Sequence, residues 1–135
     1  MREVEVSTFV SAPPAVVERA LTPASVVEYE GSFQVYDVEE TDDGWTVTAG
    51  ATGLTMQLDF EERRDGLFYR QRSDGGPFES METTLSVDPE DEGSRVTARS
   101  SVSLGLPVSA LSDRIAAWKR RGELERALDA LAEDV

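Results

Sequence analysis

Cysteine and histidine are both missing from this chain. Without cysteine there is no disulfide framework, no thiolate nucleophile and no thiol-ligated metal. Without histidine there is no imidazole base, no Ser-His-Asp triad and no His-ligated zinc. Lysine is nearly missing as well: Lys119 stands alone, and every other basic residue is an arginine. No apolar run approaches the roughly 18 residues that a membrane-spanning helix needs. The stretch from Met1 to Val10 alternates charged and apolar residues, unlike the apolar core of a secretory leader. Phosphate-cradling loops are also lacking. Gly50-Ala51-Thr52-Gly53 and Gly75-Gly76 have neither the lysine nor the following helix that such loops use. These absences lead us to expect a cytoplasmic protein with no metal and no cofactor.

What is abundant is negative charge: 27 acidic against 13 basic residues over 135 positions, a formal net charge of −14. The acids are spread along the chain rather than gathered in a tail. A field of that sign repels phosphate backbones, so nucleic acid is not an expected partner. The acidity has two readings. One is ordinary solubilising surface charge. The other is adaptation to a salt-rich cytoplasm, where salt screens the repulsion between hydrated carboxylates. The scarcity of lysine favours the second, halophilic reading.

The length suits a single domain spanning residues 1–135, and 39% hydrophobic residues suffice for one core. Val4, Val6, Thr8 and Val10 recur at the period of a half-buried strand. Ser11-Ala12-Pro13-Pro14 breaks it, with Ser11 or Ala12 as helix cap, and Ala15 to Leu21 reads as a short amphipathic helix. Thr22 is placed to cap a second short helix, Ala24 to Tyr29, which Gly31 closes.

Strand and turn then alternate. Strands are expected over Phe33–Glu39, Trp45–Ala49, Leu54–Glu61, Leu67–Arg72, Phe78–Val87 and Arg95–Leu104. Turns fall at Asp42-Asp43-Gly44, Asp65-Gly66, Asp74-Gly75-Gly76-Pro77 and across Asp88 to Gly93. Connections this short make an antiparallel meander, because parallel crossovers need a dozen or more residues. The inward face of the sixth strand is read as Met81, Thr83, Leu85 and Val87, and that of the seventh as Val96 to Leu104 in alternation. Arg70, Arg72, Glu82, Thr97 and Arg99 belong to the wet face. Pro107 opens a final segment with apolar residues at Val108, Leu111, Ile115, Trp118, Leu124, Leu128, Leu131 and Val135. We read it as one long amphipathic helix, able to bury its stripe only against the sheet.

The order strand, two short helices, six-stranded meander and long helix resembles the START-like helix-grip fold of the SRPBCC superfamily, an α+β architecture. Val6 to Val10 followed by Ser11-Ala12-Pro13-Pro14-Ala15-Val16-Val17 resembles the superfamily's strand, "APxxVW" and short helix, although Glu18 stands where tryptophan is usual. Leu21-Thr22-Pro23 is similar to the "L-t/d-P" that follows. Val87-Asp88-Pro89 through Gly93-Ser94-Arg95-Val96-Thr97 is similar to the late hairpin. The resemblance implies a deep cavity between sheet and C-terminal helix that accepts hydrophobic small molecules. The superfamily includes polyketide cyclase and dehydrase-like proteins, lipid and quinone binders, plant ligand-binding allergens and co-chaperone domains, so fold alone underdetermines function.

Met56, Tyr69, Gln71, Met81, Thr83 and Trp118 are the candidate cavity-lining residues. The Tyr69 hydroxyl and Gln71 amide share an inward face with Leu67 and are placed to orient a ligand; the alternative for Tyr69 is a plain core position. Met56 and Met81 suit an adaptable pocket or a packed core. Trp118 is read as facing the sheet. Gly122 either makes room for ligand or strand, or sits on an exposed turn. Lys119-Arg120-Arg121 reads as exposed helix surface. No carboxylate falls on an inward strand face, so no catalytic constellation is legible. The expected function is binding of a lipid, quinone or polyketide-like molecule by a monomer or homodimer with no integral membrane segment. A cyclase or dehydratase-like enzyme and a co-chaperone-type module are the alternatives.

Overall fold

A computed structural model describes residues 2–72, 76, 78–104 and 109–135, with side chains described from 113 onward in the last segment. The expected turn residues Asp74, Gly75 and Pro77, and the expected helix positions Pro107, Val108 and the Leu111 side chain, lie outside what is described. Among the described residues ten elements follow one another: β1 (Arg2–Val10), α1 (Pro14–Ala20), α2 (Pro23–Glu30), β2 (Gln34–Thr41), β3 (Gly44–Ala51), β4 (Leu54–Arg63), β5 (Gly66–Gln71), β6 (Ser80–Glu90), β7 (Gly93–Ser103) and α3 (Ser109–Asp134). This is the α+β helix-grip order.

The seven strands form one antiparallel sheet in the order β1-β7-β6-β5-β4-β3-β2. The meander lays each strand beside the one before it, and β1 closes on β7 with Val4 opposite Ser100 and Val6 opposite Ala98. Alternation places Val4, Val6 and Val10 inward together with Met56, Leu58, Phe60, Leu67, Tyr69, Met81, Leu85, Val96, Ala98 and Val102, all buried. The opposite face is wet as expected. Arg99 pairs there with Glu5 across β7 and β1, and Arg72 with Asp59 at 2.9 Å.

Local chemistry explains the two short helices. In α2 the Thr22 hydroxyl accepts from the Ser25 N–H at 3.2 Å, while the Ser25 hydroxyl accepts from the Thr22 N–H at 2.9 Å, a reciprocal capping box. Gly31, at φ 78°, ends α2 in the left-handed conformation that glycine adopts without steric cost. The cap of α1 differs from expectation. Pro13 occupies the cap position and no side chain caps the helix, its carbonyl accepting from the N–H groups of Val16 and Val17 instead.

The turn expected across Asp88 to Gly93 is shorter than that. β6 continues to Glu90 and β7 begins at Gly93, leaving Asp91 and Glu92 at φ 44° and 68°. Both lie in the left-handed region that a tight hairpin with the native twist demands. Pro89 is tolerated inside β6 because it lies beyond the last residue paired with β5, where no neighbouring strand calls for its missing N–H.

The long helix α3 packs on β1, β7 and α2. Its buried face is Asp113, Ala116, Arg120, Glu123, Leu124, Ala127, Leu128 and Leu131. This corrects the expected stripe in its first half. Ile115 is 58% and Trp118 77% exposed, so neither faces the sheet. At about 100° per residue, Ile115 lies roughly opposite Leu124, whereas Arg120 lies only about 40° away from it. The Lys119-Arg120-Arg121 run is therefore split: Lys119 and Arg121 are exposed and Arg120 is buried. Among the described residues, no helix is long and apolar enough to cross a membrane.

Candidate functional site

Burying Arg120 in the grip brings a charge into an apolar interior, which is costly unless the charge is paired and every donor is satisfied. A guanidinium has five N–H donors, and here all five are used. Nε donates to the Ser100 hydroxyl at 3.3 Å. Nη1 donates to Glu30 and, at 3.3 Å, to Glu123. Nη2 donates to the Tyr69 hydroxyl at 2.6 Å and the Thr83 hydroxyl at 2.9 Å. The partners come from β7, α2, α3 itself, β5 and β6, so one side chain ties five elements together.

Tyr69 is the second centre of this cluster. Its hydroxyl accepts from Arg120 and donates to Glu30 at 2.5 Å. Its ring stacks on Phe60, with centroids 4.5 Å apart. Burial pushes the phenol well above its ordinary range. The positive Arg120 opposes that shift and the Glu30 carboxylate reinforces it. Tyr69 therefore stays protonated and neutral. Burial alone disfavours the charge on Arg120, but the fields of Glu30, Tyr69 and Glu123 outweigh it and hold the guanidinium charged. The Thr83 and Ser100 hydroxyls, 2.8 Å apart, complete the floor.

One side-chain layer nearer the end of the sheet where α3 begins, at about 7 Å for two strand residues, lie Gln71, Leu58 and Met81, and Met56 lies one layer further along β4. Met81 and Met56 are buried. The Gln71 amide, expected to orient a ligand, is spent on the backbone: Nε2 donates to the Phe78 carbonyl at 2.6 Å, and Oε1 accepts from the Phe78 N–H at 3.0 Å. Gln71 is thus tied to the Phe78 backbone just ahead of β6. Gly76 lies so close to Gln71 and Met56 that a Cβ there would collide with both. Half-buried Phe78 and Leu104 pack at the same end. There the Asp113 carboxylate accepts from the Leu104 N–H at 2.9 Å, which holds that carboxyl below its usual range.

Of the six sequence-predicted residues, the structure brings together Met56, Tyr69, Gln71, Met81 and Thr83 and leaves Trp118 outside, on the solvent side of α3. It adds Arg120, Glu30, Glu123 and Ser100. The deep cavity implied by the resemblance is interrupted at the level of Tyr69, where this cluster occupies the space between α3 and the sheet. Depressions also lie on the surface. One of about 340 Å³ sits between the α1–α2 junction and the β4–β5 hairpin, lined by Leu21, Thr22, Trp45 and Arg64 among others. Another of about 400 Å³ lies on the wet face over Thr46, Asp59, Phe68 and Arg72. Among the described residues, no three acidic side chains are grouped to hold a metal ion.

Glu30 and Glu123 are buried carboxyl groups that sequence reasoning missed because it looked for them on strands; both come from helices. The signal for Arg120 and Glu123 was present. Extending the phase of Leu124, Leu128 and Leu131 backwards through α3 places both on the buried face.

Comparison with known proteins agrees with this architecture. No curated protein matches the sequence. Among solved structures, TTHA0849 from Thermus thermophilus is 23% identical with a TM-score of 0.74, over 98% of this chain and 95% of that one. A START superfamily protein from Mycobacterium smegmatis is 12% identical with a TM-score of 0.73, over 98% of this chain and 99% of that one. The di-domain ARO/CYC BexL is 24% identical with a TM-score of 0.69, covering 98% of this chain and 47% of that one. These likenesses show the fold. The family model described as polyketide cyclase/dehydrase and lipid transport matches residues 1–135. With the helix-grip architecture in place and that match spanning its whole length, the chain belongs to the polyketide cyclase/dehydrase and lipid transport family.

Proposed function

We propose that this protein binds a hydrophobic small molecule at the end of the grip where α3 begins, above the Arg120 cluster. The observation that carries this reading is the layering of that end. Adaptable Met56 and Met81, with half-buried Phe78 and Leu104, lie over a buried floor of hydroxyls and charged groups. Ligand sites commonly join apolar walls to a few placed polar groups in this way. The family's description and the name of BexL support a lipid or polyketide-like ligand by analogy. The test is titration of the purified protein with Nile red, a neutral apolar dye, in parallel with Met56→Trp and Met81→Trp, which fill the upper layer. Saturable one-to-one binding, weakened at least tenfold in both variants, is the expected result. Binding that ignores both substitutions rules out this end of the grip.

A cyclase-like activity is the second reading, favoured by one observation. Arg120, Tyr69 and Glu30 form a hydrogen-bonded chain in which a protonated phenol lies against a carboxyl group. Such a chain could move a proton to or from a bound substrate. Under this reading Tyr69→Phe abolishes turnover of a polyketide-like substrate while leaving its binding within a few-fold. The acidic surface we read as an adaptation to salt, and its test is among the predictions below.

A further inference from the structure

Resting on the binding site proposed above, we infer that its ligand is electrically neutral; fatty acids and other anionic amphiphiles are excluded.

The argument begins with cations. An anionic head group buried in a grip needs a positive side chain with donors to spare. Of the thirteen arginine and lysine side chains, Arg120 alone is buried. Its five N–H donors are already committed to Ser100, Glu30, Glu123, Tyr69 and Thr83. An incoming carboxylate would have to displace one of the two carboxyl groups that Arg120 holds, leaving that group buried without its partner. Two carboxyl groups already face one guanidinium, so an added anion enters against an unfavourable local field as well as a net charge of −14.

The hydroxyl donors of the floor are committed as well. The Tyr69 proton is given to Glu30 and the Ser100 hydroxyl reaches the Glu82 carbonyl at 3.0 Å. The floor therefore holds no N–H or O–H donor left over for a ligand carboxylate. The same floor discriminates strongly against a wrong partner, because unmatched buried polar groups cost more than matched ones gain.

Competition by an isosteric pair tests this. Nile red bound to the intact protein is displaced, at about pH 7 and constant ionic strength, by 2-naphthol or by 2-naphthoate, which share a ring system and differ in charge. We expect 2-naphthol to compete at least tenfold more tightly, and Glu123→Gln to narrow that ratio several-fold by improving the carboxylate. Equal competition, or tighter competition by 2-naphthoate, overturns the inference while leaving the binding site standing. A ratio that Glu123→Gln does not change overturns the role of the floor. If Nile red itself fails to bind, the underlying reading falls and the inference falls with it.

Discussion

Arg120 on α3 donates from Nη2 to the Tyr69 hydroxyl on β5 at 2.6 Å, and that hydroxyl donates onward to Glu30 on α2 at 2.5 Å. A helix, a strand and a second helix are thus joined through three polar side chains in the middle of the core. Such a cluster stabilises only while it is complete. Removing one charge strands the others, whereas replacing the whole set by apolar groups of similar volume is often neutral or better.

The first prediction follows from that asymmetry. Arg120→Met leaves Glu30 and Glu123 buried without a counter-charge and destabilises by about 3–5 kcal/mol. The triple change Arg120→Met, Glu30→Met, Glu123→Met recovers most of the loss. Urea midpoints of the two variants check this. A single variant within about 1 kcal/mol of the parent would mean that the guanidinium is not desolvated.

Alkali probes the tyrosines. The Tyr69 phenol is raised by burial and by Glu30, and that of Tyr29 is pushed up to about 12 by burial and by its hydrogen bond to Asp134. A folded-state pKa above the unfolded value of about 10 gives stability that is complete below pH 10 and lost as pH rises further. Melting temperature should hold to about pH 10 and then fall, less steeply in Tyr69→Phe. Absorbance near 295 nm should show the Tyr69 phenolate only as the protein unfolds. Ionisation of all three tyrosines in the folded protein at about pH 10 contradicts the buried assignment.

Trp118 and Leu128 should behave oppositely. Trp118 is 77% exposed and Leu128 3% exposed. Trp118→Ala is expected to change stability by less than about 0.5 kcal/mol, and Leu128→Ala to cost about 2–5 kcal/mol through the cavity it leaves. Iodide quenching should reach Trp118 more readily than half-buried Trp45, resolved by comparing the two single-tryptophan variants.

Gly122 makes no close approach that demands glycine, since a Cβ there would meet only the Arg126 guanidinium at an ordinary 3.7 Å. It makes room for neither strand nor ligand. Gly122→Ala should therefore stabilise the protein by up to about 1 kcal/mol through helix propensity. A loss of stability would point to packing around α3 that the distances do not show.

Salt tests the surface. If the acidity is an adaptation, raising KCl from dilute buffer to about 2 M should raise the melting temperature as repulsion among exposed carboxylates is screened. A flat or falling curve leaves only ordinary solubilising charge.

Much of the fold was legible from the chain. Thr22 and Gly31 mark the ends of α2 through chemistry confined to a few residues, and Asp65-Gly66 marks a hairpin for the same reason. Alternation along β4, β6 and β7 assigns Met56, Met81 and Thr83 to the inward face because strand geometry sends successive side chains to opposite sides. The site was half legible. Tyr69 and Thr83 could be placed inside, but nothing local showed what their hydroxyls would meet.

The sequence by itself determined the element order, the inward faces of the strands and the lack of thiol and imidazole chemistry, because each depends on residue identity or on periodicity within one element. Only the tertiary structure decided that Arg120, written between Lys119 and Arg121 like any surface residue, enters the core. The phase of α3 is set by packing of Leu124, Leu128 and Leu131 in its second half, and a rigid helix carries that phase back to Arg120. Its partners Glu30, Tyr69, Thr83 and Ser100 lie between 20 and 90 residues away along the chain. Their meeting is a property of the closed grip, where low polarity makes pairing obligatory, and no segment of the sequence contains it.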